Sequence, residues 1–173
     1  TEIARDIDPE NPEEQGKTLI YAVNDNHADM IVDILRNIYH DTGVDNDAIL
    51  KITGSIGGGN PKKVQNAIKR FKNERYPSIA VTVDLLTTGI DVPEITTLVF
   101  MRRVKSRILF EQMLGRATRL CSAIKKTHFE IYDPVGVYDA LQDVNTMKPV
   151  VTNPSTSFTQ LLDGIKQEDD EIL

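Results

Sequence analysis

The stretch SIAVTVDLLTTGIDVPEITTLVFMR, residues 78–102, decides the fold. Its first nine residues, SIAVTVDLL, are nearly continuous in apolar side chains. Such a run reads as a strand buried on both faces, as the strands of a parallel sheet are. TTGID, residues 87–91, is a turn, and ITTLVFMR is a further strand. Strands of this kind need helices on both faces, and the sequence on either side supplies them.

Toward the N-terminus, PKKVQNAIKRFKNER, residues 61–75, reads as a helix. Pro61 sits in its first turn, and Val64, Ala67, Ile68 and Phe71 share one face. SIGGGNP before it is a loop, and AILKITG, residues 48–54, is a strand. NDNHADMIVDILRNIYHD carries apolar residues at Ala28, Ile31, Leu35 and Ile38, with Ile34 beside them, at helical spacing. Asn26 and Asp29 resemble a capped start for it. A first strand runs from about Thr18 to Val23. Toward the C-terminus, SRILFEQMLGRATRL reads as a helix opening near Ser106, and THFEIYDP as a fifth strand stopped by Pro134. Strand and helix alternate, so the fold class is α/β: a mainly parallel sheet with helices on both faces. From Lys148 the pattern breaks into a linker, KPVVTNPSTS, and a short helical stretch. The domain expectation is an acidic linker at 1–16, one domain at 17–147, and a linker with the start of a following helical region at 148–173.

The 173 residues suffice for one domain with a proper core, and no apolar run has the length of a membrane span. The single cysteine, Cys121, forms no disulfide within the chain and suggests a reducing, cytoplasmic setting. His27, His40 and His128 are scattered and set out no metal site. The net charge of −6 hides an uneven distribution. Residues 1–16 hold six acids and one arginine, whereas residues 62–126 hold fourteen Lys or Arg and five acids. A basic centre of this kind suits phosphate contacts, or else a set of solvated helix faces.

Gly16-Lys17-Thr18 looks like the tail of a phosphate loop, but the place of the motif's first glycine is Asn11. A phosphate loop also runs from strand to helix, whereas here polar, proline-containing sequence runs into a strand. The better reading is a solvated segment entering β structure.

Three stretches are expected at the carboxyl ends of strands, where ligands gather in such sheets. In TTGID, Gly89 allows a tight turn, Asp91 can accept hydrogen bonds from a ribose, and Thr87 and Thr88 offer hydroxyls to phosphate. The same turn could be plain, with Asp91 capping local backbone. In QMLGRATR, residues 112–119, Gln112, Arg116 and Arg119 fall on one helix face and form a multi-donor surface for phosphate oxygens. The alternative is a solvated face. GGGNPKK, residues 57–63, precedes a helix N-terminus but has no fixed-spacing pattern and reads as a flexible loop.

IAVTVDLLTTGIDVPEI followed by FEQMLGRATRL resembles motifs V and VI of superfamily 2 helicases and translocases. TLIYAVNDNHADMIVDIL resembles their motif IV. With ITGS and AIKRFKN, the chain over roughly residues 17–135 is similar to the second RecA-like domain of the R subunit of type I restriction enzymes. That resemblance implies ATP, with Mg²⁺, in a cleft between two RecA-like domains, the first of which supplies the phosphate loop and metal-binding acids. It implies Arg119 as the arginine finger, Arg116 on the phosphates, Gln112 coupling the cleft to motif V, and Gly89 and Asp91 near the ribose and the domain interface. Thr53, Gly54, Thr87 and Thr88 become candidates for the DNA backbone. Thr88 and Val83 stand where many RNA-helicase relatives carry Arg and Thr, which fits the restriction-subunit form. The partners implied are double-stranded DNA, the first RecA-like domain of the same chain, and the modification and specificity subunits. The activity implied is ATP-dependent translocation within a restriction endonuclease, with this piece alone inactive. The alternatives are another superfamily 2 motor, of type III restriction or DNA repair, and a non-catalytic α/β module that binds an anion or partner.

Overall fold

The computed structural model describes residues 2–83 and 91–142. Five parallel strands form one sheet: β1 Lys17–Tyr21, β2 Ile49–Lys51, β3 Ile79–Thr82, β4 Ile95–Phe100 and β5 Glu130–Tyr132. Their spatial order is β2-β3-β1-β4-β5. Parallel neighbours need crossovers, and helices lie in those from β1 to β2, from β2 to β3 and from β4 to β5. The helices are α1 Glu2–Asp6, α2 Pro12–Gln15, α3 Asp25–His40, α4 Ile56–Gly59, α5 Pro61–Asn73, α6 Arg107–Leu114 and α7 Val137–Gln142. The compact unit built from them runs from Thr1 to Leu141. The stretch read as a linker and helical region from Lys148 lies outside the described residues.

Side chains alternate along each strand, so the sheet sorts its apolar residues into two cores. Leu19, Tyr21, Leu98 and Phe100 face Ala67 and Phe71 of α5 and Phe110 and Met113 of α6. Ile20, Ala22, Val81 and Val99 face Ala28, Ile31, Leu35 and Tyr39 of α3 on the other side. The Tyr21 ring stacks on Phe100 at 5.4 Å between centroids, and Phe100 meets Phe110 at 5.2 Å. This ladder joins the sheet centre to α6. Each ring so buried stabilises the fold by about 1.5–3 kcal/mol.

Several local features differ from the sequence reading. The α3 cap is Asn24, not Asn26: the Asn24 Oδ1 accepts from the His27 N–H at 2.9 Å. The acidic segment at 1–16 is not a solvated linker. Its two short helices lie on the domain, with Ala4 and Ile7 buried in the α3 core. The Tyr39 hydroxyl donates to the Ala4 carbonyl at 2.8 Å, and the Ser78 hydroxyl to the Pro9 carbonyl at 2.8 Å.

Candidate functional site

The Gly16-Lys17-Thr18 stretch is structural. Lys17 opens β1 and is 5% exposed. Its ammonium donates to the carbonyls of Phe71 (2.6 Å), Glu74 (2.6 Å) and Pro77 (3.1 Å), and so caps the C-terminal end of α5. Burial pushes its pKa down to about 8, against the opposing pull of Glu94, Glu74 and Glu13. All three ammonium donors are taken by backbone carbonyls, so none is left for a phosphate.

The arginine-bearing segment begins with α6, capped by Ser106, whose hydroxyl accepts from the Leu109 N–H at 3.3 Å. The helix ends at Leu114. Arg116 and Arg119 therefore do not share a helix face, as the i, i+3 spacing suggested; they lie on the irregular turn that follows. The Arg116 N–H reaches back to Met113 (3.3 Å) and the Ala117 N–H to Leu114 (2.9 Å), a tightening that closes the helix. Gln112 remains on the exposed side of α6, Arg116 is half-buried, and the Arg119 side chain is 59% exposed. Ile108 and Leu120 stand out into solvent on the same segment.

Arg119 Nη1 donates to Asp91 Oδ1. The other Asp91 oxygen lies 3.6 Å from the Lys72 ammonium at the end of α5. Asp91 is thus the centre of a three-member cluster, with its carboxylate already engaged by two cations. The cluster sits beside the amino end of β4, because Asp91 precedes Ile95 by four residues and α6 runs back from the carboxyl end of that strand. Asp91, the one described residue of TTGID, and the turn after α6 thus lie beside an amino end of the sheet, whereas the sequence reading put QMLGRATR at the carboxyl ends. Thr87, Thr88 and Gly89 lie outside the described residues. Lys72 was not singled out from sequence, since a basic residue in the last turn of a helix is ordinary dipole complementation.

A second cluster does occupy the carboxyl ends, after β1 and β2. Thr53 is 3% exposed, and its hydroxyl donates to Asp25 Oδ1 at 2.6 Å. The Ser55 hydroxyl reaches the same oxygen at 2.5 Å. Lys51 bridges Asp25 (3.0 Å) and Asp29 (2.6 Å). Gly54 is exposed between Thr53 and Ser55. The Thr53 side chain is therefore turned inward as a support, and the exposed surface of the turn is Gly54 with the edge of Ser55. Three glycines, Gly57, Gly58 and Gly59, continue it with φ of 61°, 75° and 79°.

Hydrogen bonds from Ser55, Thr53 and Lys51 pull the Asp25 pKa down to about 2. The folded protein holds this carboxylate ionised more firmly than the unfolded chain does. Its stabilisation is complete above the unfolded value of 3.8 and is lost as pH falls through about 2. Asp25→Asn is expected to lower the urea midpoint at pH 6, and the gap from the natural sequence should shrink between pH 4 and pH 2. A gap independent of pH would show that the carboxylate's charge contributes nothing. Among the described residues no group of His, Cys, Asp or Glu is placed to hold a metal, and no helix is long and apolar enough to cross a membrane.

The sequence profile of the helicase conserved C-terminal domain matches residues 2–121. Over 166 residues the chain is 47% identical to the EcoKI endonuclease subunit, a type I restriction enzyme subunit of Escherichia coli K12. That match covers 95% of this chain and 14% of the relative, so the chain spans about one-seventh of that protein. Among solved structures it is similar to a fragment assigned to an HsdR subunit of a type I restriction enzyme from Vibrio vulnificus YJ016. There the TM-score is 0.66 at 29% identity, over 82% of this chain and 27% of the other. Domain 2 of the DEAD-box helicase Mss116p, solved with an RNA duplex, shares the fold at TM-score 0.63 and 20% identity, over 84% of this chain and 53% of the other. The five-stranded parallel sheet is thus RecA-like, and the chain belongs to the helicase conserved C-terminal domain family, in the form carried by type I restriction enzyme R subunits.

Proposed function

We propose that this domain is the second motor domain of an ATP-dependent DNA translocase in a type I restriction enzyme. In this reading it completes an ATP site whose phosphate loop and Mg²⁺-binding acids belong to the first RecA-like domain of the same chain. The single observation that carries the reading is the Arg119 guanidinium: exposed, on a turn of fixed backbone, and paired with the half-exposed Asp91. An ion pair that open to water is worth at most about 1 kcal/mol, so a phosphate can compete for the arginine. Arg116 on the same turn and Gln112 on α6 supply further donors. The donor set fits the phosphate tail of a nucleotide held elsewhere: guanidinium forks match phosphate oxygens, and Lys17 is not available as a phosphate-loop lysine. When bound, ATP with Mg²⁺ supplies the phosphoryl group whose developing charge a finger stabilises.

Within this reading Asp91 parks Arg119 when the cleft is open, and Lys72 keeps that carboxylate neutralised when Arg119 leaves it. The Gly54–Ser55 turn and the glycines after it present the DNA-facing edge, with Thr87 and Thr88 as further backbone contacts. Contacts of this type are to phosphate and blind to sequence. Sequence choice then falls to the specificity subunit of the complex, alongside the modification subunit.

The test is DNA-stimulated ATP turnover by the intact parent chain, assembled with its partner subunits. Arg119→Ala should remove most of it while the fold survives. Unchanged turnover would leave residues 115–119 a basic surface turn and favour a non-catalytic binding module. The isolated domain is expected to hydrolyse no ATP, because it holds half a site. Turnover by the purified domain that disappears in its Arg119→Ala variant would contradict this.

A further inference from the structure

We propose that Lys126 is the positioning residue of the arginine turn. The inference rests on the reading of Arg119 as a finger. Lys126 lies outside the stretches that the sequence marks, and it is 9% exposed. Its ammonium donates to three backbone carbonyls: Ala117 at 2.7 Å, Ile95 at 2.5 Å and Pro93 at 3.0 Å. An ammonium has three donors, so this one is fully used. Each bond is charge-assisted, and together they define a point in space rather than a direction.

What matters is which backbone the three carbonyls belong to. Ala117 lies between Arg116 and Arg119. Pro93 is two residues after Asp91, and Ile95 begins β4. One buried cation therefore ties the finger-bearing turn and the backbone of the finger's parking carboxylate to the same strand. A second fastening closes the loop: the Lys126 N–H donates to the Cys121 carbonyl at 2.9 Å, in an antiparallel bridge between those residues. Lys125, with φ of 51°, turns the chain so that both fastenings form. Ala117 and Cys121 are buried at the ends of this closed segment, while Arg119 and Leu120 project from its middle. The exposed arginine gets its placement from backbone held on either side.

A buried ammonium is a poor source of net stability, since desolvation offsets much of what its bonds return. Burial does push the Lys126 pKa down, with Cys121 and Glu94 opposing. What the arrangement provides is geometry. A finger contributes only when its donors meet the transferring group, and a displacement of about 1 Å can cost on the order of 10²-fold in rate.

The experiment is a double-substitution cycle in the intact parent chain with its partner subunits. It reads single-turnover ATP hydrolysis on DNA, the KM for ATP, and ATP-binding stoichiometry. Lys126→Met is expected to lower kcat on the order of 10–10²-fold with KM and stoichiometry unchanged, and to add nothing to Arg119→Ala. Lys126→Arg, which keeps charge and donors, should recover most of the loss. A natural kcat in Lys126→Met, or a loss that adds in full to that of Arg119→Ala, overturns the inference. If Lys126→Met shows no cooperative unfolding transition, Lys126→Gln takes its place in the cycle, and the same two results support or overturn the inference. If Arg119→Ala alone leaves turnover unchanged, the finger reading falls and this inference falls with it. If Arg119→Ala abolishes turnover and Lys126→Met does not lower it, only the inference falls.

Discussion

Arg119→Ala in the intact parent chain is expected to lower DNA-stimulated ATP turnover by ~10³–10⁵-fold, with ATP binding and the fold preserved. The size follows from what a finger does. Its guanidinium meets charge that develops on the transferring phosphoryl group, in a closed cleft where water no longer screens it. The fold should not suffer, because the arginine's ion pair with Asp91 is largely exposed and the surrounding turn is held through backbone. Arg119→Lys should recover little, since a point charge on a flexible stem does not reproduce the planar fork. Arg107 serves as the control. It lies at the start of α6, the helix that leads into the arginine turn, but pairs with Glu111 one turn away at 2.7 Å, and Arg107→Ala should leave turnover near that of the natural sequence. Equal losses in Arg107→Ala and Arg119→Ala would mean that general basic charge, not placement, is being removed.

Gly16→Ala is expected to destabilise the domain by about 3–5 kcal/mol, read from the urea midpoint. Gly16 has φ 82° and ψ −166°, a backbone region that is essentially glycine-only. A Cβ there would fall 2.6 Å from the Glu94 carbonyl oxygen and 2.4 Å from Thr96 Cγ2. The carbonyl cannot step aside, because it accepts from the Lys17 N–H at 2.8 Å where β1 joins the chain before β4. Strain and overlap therefore add. The prediction also separates two accounts of the same three letters. A glycine in a phosphate loop would lose nucleotide affinity when substituted and keep most of its stability. A loss below about 1 kcal/mol, together with weakened nucleotide binding, would restore the phosphate-loop account.

The alternation of strands and helices was legible because each core-facing helix carries its own periodic signal. Val64, Ala67 and Phe71 are buried on α5, and Ala28, Ile31 and Leu35 on α3, as their spacing requires. Ile34, one step off that stripe, is 48% exposed. The segment around Arg119 was legible as a helicase-family motif but not as a shape. The turn after Leu114 is fastened through the Ala117 carbonyl to Lys126, whose other acceptors lie more than thirty residues away in sequence. Lys17 had the same opacity, since its partners are 54 to 60 residues distant. The acidic N-terminal segment misled for a different reason. Six acids dominate its composition, yet buried Ala4, Ile7, Pro9 and Pro12, together with the bonds from the Tyr39 and Ser78 hydroxyls, lay it on the domain. Asp25 carried no signal in the sequence, and only the fold brings it to Thr53 and Ser55 on the turn after β2.

In the proposed function Arg119 acts across a cleft on the transition state and not on bound ATP. The most direct measurement compares two affinities in the intact parent chain on DNA: one for a non-hydrolysable ATP analogue, the other for ADP with a planar metal fluoride that mimics the transferring phosphoryl group. Arg119→Ala is expected to weaken the second by about the factor it takes from turnover and to leave the first nearly unchanged. Equal weakening of both, or of neither, would contradict it.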